Sequence, residues 1–269
     1  MTEIKQGHPK GLYLLFATEM AERFSYYGMR AIFILFMTKA LFLSKADASN
    51  VYGSYTGLVY LTPLLGGYIS DRYWGNRRSI LIGGLLMALG QFLMFFSGSF
   101  VTDGAQSASA VSMMWIGLTF LIIGNGFFKP NISTMVGQIY PKGDHRIDGA
   151  FTIFYMGINL GAFFSPLICG GLGDTGNIHD FRFGFLAAGI GMLISTVTFE
   201  LLKKKHLNTP EGEPVGLPKQ KMDFKTYAII GGAVALIFFL LNFKNLFKSD
   251  IEIIGYLIYA SMEIGRAHV

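Results

Sequence analysis

The stretch that best indicates the fold is EMAERFSYYG, residues 19–28, which places two acids and a base inside a long apolar segment. In a helix, at about 100° per residue, the charged side chains share one stripe. A charge at the centre of a bilayer costs roughly 2.5–3.5 kcal/mol. We therefore expect this stripe to be buried against a partner helix or a water-filled cavity. It consists of Glu19, Arg23, Tyr26 and Arg30, with Glu22 and Tyr27 on its borders.

The other side of this helix is apolar and carries Leu14, Ala21, Gly28, Ile32 and Leu35. We expect that side to face lipid. The acids of the charged stripe can take up and release protons, and Glu19 and Arg23 are spaced to form an i,i+4 salt bridge. Ionisable residues within membranes usually belong to substrate or proton pathways. The alternative is a structural ion network that only fixes helix packing.

The composition of the whole chain is that of a membrane protein. Of its 269 residues, 52% are hydrophobic and 14% are charged, whereas a soluble domain carries about 25% charged residues. The apolar residues form long blocks, which predict a polytopic all-α membrane protein rather than a globular enzyme. The net charge of +5 does not indicate nucleic acid binding, because the basic residues lie between the apolar blocks. The single cysteine, Cys169, gives neither an intramolecular disulfide nor a metal-ligand pattern.

The apolar blocks predict six spanning helices, each of which reaches the roughly 20 residues that cross the hydrocarbon core. The predicted spans are residues 11–43, 51–69, 79–100, 112–140, 150–172 and 183–202. Basic residues precede the first helix and follow the second, fourth and sixth, whereas the alternate loops have few. By the positive-inside rule, we expect the N-terminus and the basic loops on the cytoplasmic side of a cell membrane.

The sequence changes character after the sixth helix, which gives the predicted domain boundaries. Residues 1–202 form the six-helix bundle, and residues 203–226, with three prolines, form a cytoplasmic linker. Residues 227–262 contain a seventh apolar block and the start of an eighth, which is too short to span. The final residues 263–269, EIGRAHV, break the apolar pattern, and we expect them to be an artefactual tail of a chain that continues.

A second charged feature lies in the fourth predicted helix, where Lys129 stands near the middle and next to Pro130. The proline frees a backbone carbonyl, which is tolerated where that carbonyl lines a cavity. Asn125 lies one turn earlier on the same face. Lys129 is therefore expected to neutralise one of the acids of the first helix. The alternative is a lysine that extends to the membrane surface.

Two polar residues in other helices have open interpretations. Asn159, in the fifth helix, needs hydrogen-bond partners, which either a neighbouring helix or the peptide groups of a ligand would provide. Tyr60, in the second helix, is either a site residue or one of the tyrosines that are common near membrane interfaces.

The turn after the second helix alternates acid and base in the sequence GGYISDRYWGNRR, residues 66–78. It resembles the loop signature of the major facilitator superfamily, G-x-x-x-D-R-x-G-R-R, with one extra residue between Arg72 and Gly75. The resemblance implies that its charges brace neighbouring helices in the outward-facing state, as a gate rather than a substrate site. The gating residues would be Gly67, Asp71, Arg72, Gly75, Arg77 and Arg78.

Together these patterns resemble the proton-dependent oligopeptide transporter family of that superfamily. Residues 19–28 match the family's E-x-x-E-R-F-x-Y-Y-G run, residues 154–161 match F-Y-x-x-I-N-x-G, and residues 129–131 match K-P-N. The resemblance covers residues 10 to about 202, and the block at residues 227–243 is similar to the extra helix pair of bacterial members. It implies the N-terminal six-helix bundle of a major facilitator fold, with one or two inserted helices.

The resemblance also implies a role for each candidate residue. Arg30 would help to hold the C-terminal carboxylate of a peptide, and protons would be the coupling ion, without a metal or another cofactor. A second six-helix half, absent from this chain, would capture the amino terminus of the peptide. The proton-coupling group would consist of Glu19, Glu22 and Arg23, with Lys129 as their partner. The peptide site would include Tyr26, Tyr27, Tyr60, Asn125, Tyr155 and Asn159.

We therefore expect a proton-coupled symporter for di- and tripeptides that works by alternating access in a lipid bilayer. No phosphate loop, nucleophile elbow or metal-ligand cluster in the sequence argues for an enzyme. Two alternatives remain open. One is a family member that carries nitrate or a small carboxylate, and the other is a non-transporting membrane protein, such as a peptide sensor or an assembly partner.

Overall fold

In the computed structural model, the described residues are 7–218, 220, 227, 228, 231, 232, 235, 236 and 239. They contain six long α-helices and, apart from isolated bridges, no β-strand. The helices are α1 (Lys10–Leu35), α2 (Lys45–Ile69), α3 (Gly75–Ser99), α4 (Ala108–Gln138), α5 (Ile147–Ser165) and α6 (Phe181–His206). The predicted all-α fold is therefore confirmed. The predicted helices at residues 227–262 lie almost wholly outside the described residues, and the suspected tail lies entirely outside them.

All six helices begin earlier than the apolar pattern predicts, and polar caps extend two of them. α2 begins at Lys45 rather than at residue 51, and the side chain of Ser44 accepts a hydrogen bond from its first turn. α4 begins at Ala108 rather than at residue 112, and Ser107 caps it in the same way. Such caps satisfy backbone N–H groups that have no partner within the helix. Hydropathy therefore marks the membrane-buried part of each helix and misses its polar end.

Three helices continue into a π-helical turn, at Phe36–Ala40, Ser70–Trp74 and Pro166–Gly170. In the last of these, Pro166 cannot donate to the carbonyl of Ala162, and the hydroxyl of Ser165 donates to that carbonyl at 3.3 Å. The π-helical turn after α2 leads directly into α3. The chain changes direction there at Gly75, whose φ of +71° lies in the left-handed region that favours glycine.

Four helical stretches of the described chain are long and apolar enough to cross a membrane. They are Lys45–Ser99, Ala108–Gln138, Ile147–Gly173 and Phe181–His206, and the first contains both α2 and α3. The charged helix α1 is not among them. Hydropathy alone therefore does not identify α1 as a span, whereas its length and its packing place it within the bundle.

The helices of the bundle are arranged around α1, which contacts each of the other five. It packs mainly against α5 and α6, while α3 packs against α4 and α6, and α2 packs against α4. A side chain at Gly161 of α5 would collide with the backbone of Met20, and one at Gly66 of α2 would collide with the carbonyl of Gly126. Small residues thus allow these membrane helices to approach closely.

The prediction that the apolar side of α1 faces lipid is wrong for three of its five residues. Leu14, Gly28 and Ile32 are buried. A side chain at Gly28 would lie 2.5 Å from Sγ of Cys169, and Ile32 lies against Gly184 of α6. The other two residues are half-buried. This side is covered because α5 and α6 pack on it, which the sequence of α1 alone does not reveal.

Candidate functional site

The acids and the base of residues 19–28 form one buried ion network. Nε of Arg23 lies 2.9 Å from Oε1 of Glu19 and 2.7 Å from Oε2 of Glu22. All three side chains are at most 3% exposed. Nδ2 of Asn125, on α4, donates a hydrogen bond to Oε1 of Glu22 at 3.0 Å. The predicted i,i+4 salt bridge is present, and Glu22 joins it as a second carboxylate.

Two carboxylates share one guanidinium in this network. When both glutamates are ionised, the three side chains carry one excess negative charge, which is unfavourable in a low-dielectric interior. Among the residues that the structure describes, Nη2 of Arg23 and Oε2 of Glu19 are buried without a hydrogen-bond partner. The network therefore has both a donor and an acceptor with which a proton, a water molecule or a ligand can interact.

A cavity of about 330 Å³ opens beside the network, between α1, α2 and α4. Its walls carry two cations, two tyrosines, two prolines and two smaller side chains. They are Arg23, Lys129, Tyr26, Tyr60, Pro63, Pro130, Val59 and Ser133. The structure thus brings four of the predicted site residues together from three helices. The two prolines come from α2 and α4, and the backbone carbonyls that they leave without a helical partner are tolerated beside a cavity.

Lys129 lies on the wall of this cavity rather than inside the ion network. Within the described part of the chain, it forms no salt bridge with Glu19 or Glu22. Its charge interacts at longer range with Arg23 and with both acids. Lys129 therefore acts on the two acids only through a longer-range interaction and not through the direct contact that the sequence predicts. Its ammonium group is left available to a ligand in the cavity.

Arg30 lies in a separate group of aromatic rings between α1 and α2. Its Nε donates to the hydroxyl of Tyr52 at 2.7 Å, and its Nη1 donates to the hydroxyl of Tyr26 at 3.4 Å. Its guanidinium carbon lies 5.2–5.9 Å from the ring centres of Tyr26, Tyr27 and Tyr52. Tyr52 was not predicted as a site residue. One indication in the sequence was that Tyr52 lies in the same predicted helix as the candidate site residue Tyr60.

The two candidates on α5 do not reach the cavity. Tyr155 is 56% exposed, and Asn159 is exposed as well. α5 packs on α1 through its other face, where Gly157 lies against Phe16. The described residues therefore provide Asn159 with neither a helix partner nor a place in the cavity, and the peptide-binding role of both α5 residues stays a prediction.

The charged residues of the predicted gating loop lie in the π-helical turn after α2 and in the first turn of α3, and they differ in burial. Asp71, Arg72 and Arg78 are exposed. Nη1 of Arg72 donates to the hydroxyl of Tyr68 at 2.6 Å. Arg77 is instead buried at the start of α3, with only 7% of its surface exposed. The sequence predicted one set of equivalent charges, whereas the structure separates Arg77 from the others.

The glycines of the same turn lie where backbone and side chains approach closely. A side chain at Gly67 would contact Pro130 at 3.6 Å, next to the cavity. One at Gly75 would lie 2.5 Å from the carbonyl oxygen of Gly216, which belongs to the segment after α6. The end of α2 is therefore in contact with α4 at Pro130, and the turn that follows is in contact with the segment after α6.

A cluster of buried polar side chains, which the sequence did not reveal, joins this turn to α4. Nδ2 of Asn131 donates to the hydroxyl of Ser70 at 2.8 Å and to the carbonyl of Phe127 at 2.6 Å. Its Oδ1 accepts a hydrogen bond from Nδ2 of Asn76 at 2.8 Å. Asn131 is the third residue of the K-P-N run, so this cluster begins two residues from Lys129.

Outside the membrane spans, the turn between α4 and α5 holds the segment before α1. Nη1 of Arg146 donates to the carbonyl of Gly7 at 2.7 Å. The same guanidinium donates to both carboxylate oxygens of Asp144, at 3.0 Å and 2.6 Å. These hydrogen bonds lower the pKa of Asp144 to about 2. The contact therefore depends on an ionised Asp144.

Comparison with known proteins relates this chain to a family of transporters. The sequence profile of the POT family, PTR2, matches residues 77–224, which is more than half of the chain. The chain is 42% identical over 198 residues to Peptide transporter YePEPT of Yersinia enterocolitica subsp. palearctica serotype O:3 (strain YE-P4), covering 72% of this chain and 36% of that protein. It is 37% identical over 268 residues to the Di-/tripeptide transporter of Lactococcus lactis subsp. lactis (strain IL1403), covering 94% of this chain and 51% of that protein.

The fold is also that of a solved transporter structure. A crystal structure of a POT family transporter in complex with thioalcohol conjugated peptide is similar to this chain with a TM-score of 0.77 at 35% identity. The similarity covers 94% of this chain and 50% of that chain. The present chain thus spans about half, or less, of the length of these relatives. Both the profile and the fold place it in the same group, and the chain belongs to the POT family.

Proposed function

We propose that this chain forms the N-terminal six-helix bundle of a proton-coupled symporter for di- and tripeptides. The observation that carries the proposal is the buried network of Glu19, Glu22 and Arg23 beside a cavity that also contains Lys129. The names of the two relatives support the substrate class, because both are peptide transporters. The peptide conjugate in the related crystal structure supports it as well.

The charges around the cavity explain how a proton would be coupled to a carboxylate. With both glutamates ionised, their two negative charges balance the positive charges of Arg23 and Lys129. Protonation of one glutamate leaves one excess positive charge at the cavity. An anionic group, such as the carboxylate of a peptide, then restores neutrality. Arg23 is the residue that changes its interactions, because it contacts both glutamates and also lines the cavity.

The energies involved are sufficient for uptake against a gradient. Two unit charges 4 Å apart interact by about 4 kcal/mol at an effective dielectric constant of about 20. One proton that crosses a membrane potential of 100 mV contributes about 2.3 kcal/mol, and each unit of pH difference contributes about 1.4 kcal/mol. Together these contributions support an accumulation of roughly 500-fold.

The remaining candidate residues extend this site in two directions. Arg30, held by the hydroxyls of Tyr26 and Tyr52, would bind the peptide carboxylate or position the tyrosines that contact it. Tyr155 and Asn159 lie on the exposed face of α5, where they would contact peptide between this bundle and a second half. The size of the cavity supports a small substrate, because ligand pockets usually enclose about 300–1,000 Å³.

The proposal places the protein in the cell membrane as a multi-pass protein with a cytoplasmic N-terminus. The basic residues 203–205 at the end of α6 support this orientation. A second six-helix half would complete the site, and the two halves would rock around it to give alternating access. Protons are the only coupling ion in this proposal, and it requires no metal or organic cofactor.

The direct test uses Glu22→Gln in the full-length protein, reconstituted in proteoliposomes. Glutamine keeps the shape of the side chain and the contact with Asn125 but cannot change its charge. We expect proton-driven dipeptide uptake to fall at least about 100-fold, while exchange of labelled for unlabelled peptide continues. Glu200→Gln, at a glutamate paired with Lys203 near the end of α6, is the matched control and should leave both activities unchanged. Unchanged uptake by Glu22→Gln down a pH gradient would overturn the coupling role.

A small anion such as nitrate or a carboxylate is the second candidate substrate, because the cavity presents two cations. Competition separates the two candidates. Inhibition of labelled dipeptide uptake by other dipeptides, and not by nitrate or acetate, would support peptides. Uptake of labelled nitrate that dipeptides do not inhibit would support the anion. A non-transporting sensor would bind peptide without any proton-driven flux.

A further inference from the structure

The chain that leaves α6 folds back as a short hairpin, residues 207–216. The N–H of Val215 donates to the carbonyl of Leu207 at 3.2 Å, and the N–H of Thr209 donates to the carbonyl of Glu213 at 2.7 Å. The side chains of Leu207 and Val215 are both buried. The first residues of the predicted linker are therefore an ordered part of the bundle.

One residue holds both ends of this hairpin. The backbone N–H of Arg77 donates to the carbonyl of Gly216 at 3.1 Å. Its guanidinium Nη2 donates to the carbonyl of Leu207 and lies 3.4 Å from Oδ1 of Asn208. Within the described residues, no carboxylate forms a salt bridge with Arg77. Among the described residues, the charge of Arg77 therefore has no acidic partner, and its hydrogen bonds are formed with neutral oxygen atoms of the hairpin.

The surface under the hairpin is shaped to receive it. At Gly75, any side chain would lie 2.5 Å from the carbonyl of Gly216 and from the backbone of Leu217. On the opposite side, Leu207 lies against Gly11 at the start of α1. The hairpin therefore connects the start of α1, the α2–α3 turn and the end of α6, three points that are far apart in the sequence.

We propose that Arg77 is a positioning residue that clamps the hairpin to the α2–α3 turn and so makes it part of the rigid bundle. The last residue of the continuously described chain, Pro218, which we call the exit point, then lies beside the α2–α3 turn and not at the end of α6. The clamp itself rests only on the geometry of this chain. Its consequence for transport, that the position of this exit point controls how the bundle moves against a second half, rests on the proposed function.

The first test measures the hairpin itself by amide hydrogen exchange of the full-length protein in detergent. In Arg77→Ala, we expect the amides of Thr209 and Val215 to exchange about tenfold faster, because a charge-assisted hydrogen bond is lost. Arg78→Ala removes the same charge at the adjacent, exposed position and should leave their exchange unchanged. Equal exchange in the two variants would overturn the clamp.

A second variant covers the case in which Arg77→Ala fails to fold. Gly75→Ala keeps Arg77 but places a methyl group against the carbonyl of Gly216, so it should also accelerate exchange of residues 207–216. Arg77→Lys retains a donor for the carbonyl of Leu207 and should restore part of the protection. If residues 207–216 exchange in Gly75→Ala at the rate of the unmodified protein, the proposed contact between the hairpin and Gly75 is contradicted.

The second test measures transport by the same variants. If the exit point controls bundle movement, Arg77→Ala should lower the maximal uptake rate about fivefold with an unchanged KM for dipeptide, and Arg77→Lys should recover part of that rate. A changed KM at an unchanged rate would contradict a positioning role. If no variant and no unmodified protein transports peptide, the proposed function fails, whereas the exchange difference between Arg77→Ala and Arg78→Ala still decides the clamp.

Discussion

The two buried arginines of this bundle, Arg23 and Arg77, are held in opposite ways. Arg23, in the middle of α1, contacts two carboxylates and a cavity. Arg77, at the start of α3, contacts a backbone carbonyl and an amide oxygen. A carboxylate can be neutralised by a proton, whereas a carbonyl keeps the same charge at every accessible pH. Burial of a charge therefore does not by itself indicate a switch, because the group that the charge contacts decides whether it can respond to a proton.

The largest expected effect comes from removing the cation of the first region. Arg23→Met would leave Glu19 and Glu22 buried together without a positive partner. Breaking a buried ion network in this way costs about 3–5 kcal/mol, so we expect a strongly lowered Tm and no peptide uptake. Thermal unfolding in detergent measures the first effect, and uptake in proteoliposomes measures the second.

The triple variant Arg23→Met, Glu19→Gln, Glu22→Gln is the control for this prediction. It removes all three charges, so it should recover most of the lost Tm without recovering proton-driven uptake. A Tm of Arg23→Met equal to that of the unmodified protein would show that Arg23 does not stabilise the two buried carboxylates, and the contrast with Arg77 would disappear.

A smaller effect is expected in the uncharged cluster around Asn131. Asn131→Ala removes hydrogen bonds to Ser70, Asn76 and the carbonyl of Phe127, and leaves some of these groups unpaired. We expect the free energy of unfolding to fall by about 2 kcal/mol. Proton-driven uptake and exchange should fall together, because the cluster carries no charge. Loss of uptake with intact exchange would assign Asn131 to the proton pathway instead.

Ser133→Ala is the matched control for Asn131→Ala. Ser133 lies on the same helix and lines the cavity, and its hydroxyl bonds only within its own helix, to the carbonyl of Lys129 at 3.2 Å. Its removal should change the free energy of unfolding by less than about 1 kcal/mol. Equal destabilisation by the two variants would argue against a special role for the cluster.

The smallest expected effect concerns the Asp144–Arg146 contact outside the membrane. The pKa of Asp144 is lowered to about 2 in the folded protein, from an ordinary value of 3.8. Its contribution to stability is therefore fully present above about pH 4 and is lost as the pH falls toward 2. Asp144→Asn should abolish this pH dependence, and hydrogen exchange of the segment before α1 between pH 5 and pH 2.5 would measure it. If hydrogen exchange depends on pH identically in the unmodified protein and in Asp144→Asn, the stabilising role of the Asp144–Arg146 contact is contradicted.

The sequence predicts the site on α1 well and the rest of the site less well. The pairing of Glu19 with Arg23 was predictable because a helix converts spacing along the chain into a shared face, and because charges in apolar helices are rare. Asn125 was expected among the peptide-binding residues, whereas its amide donates to Glu22 of the ion network. Tyr52 was missed because a tyrosine in a membrane helix has several ordinary explanations. Asn159 follows the family pattern, yet it lies on the exposed face of α5 and does not line the cavity.

The difference between Arg77 and Arg78 shows a second limit of sequence analysis. The two residues are adjacent and chemically identical, and the loop signature treats them alike. Arg77 is buried because a hairpin about 130 residues further along the chain folds over it. The burial of the apolar side of α1 is similar, because it depends on α5 and α6. Contacts between distant segments are decided by the packing of the whole bundle and are not encoded in the local pattern.

The most direct measurement for the central claim is proton movement during peptide transport. Proteoliposomes that contain the full-length protein and an internal pH-sensitive dye are mixed with dipeptide, with the membrane potential set to zero. We expect the interior to acidify as peptide enters the unmodified proteoliposomes, and Glu22→Gln to exchange peptide without acidification. Acidification of equal size with Glu22→Gln, or peptide entry without acidification in the unmodified protein, would contradict the assignment of the Glu19–Arg23–Glu22 network as the proton-coupling site.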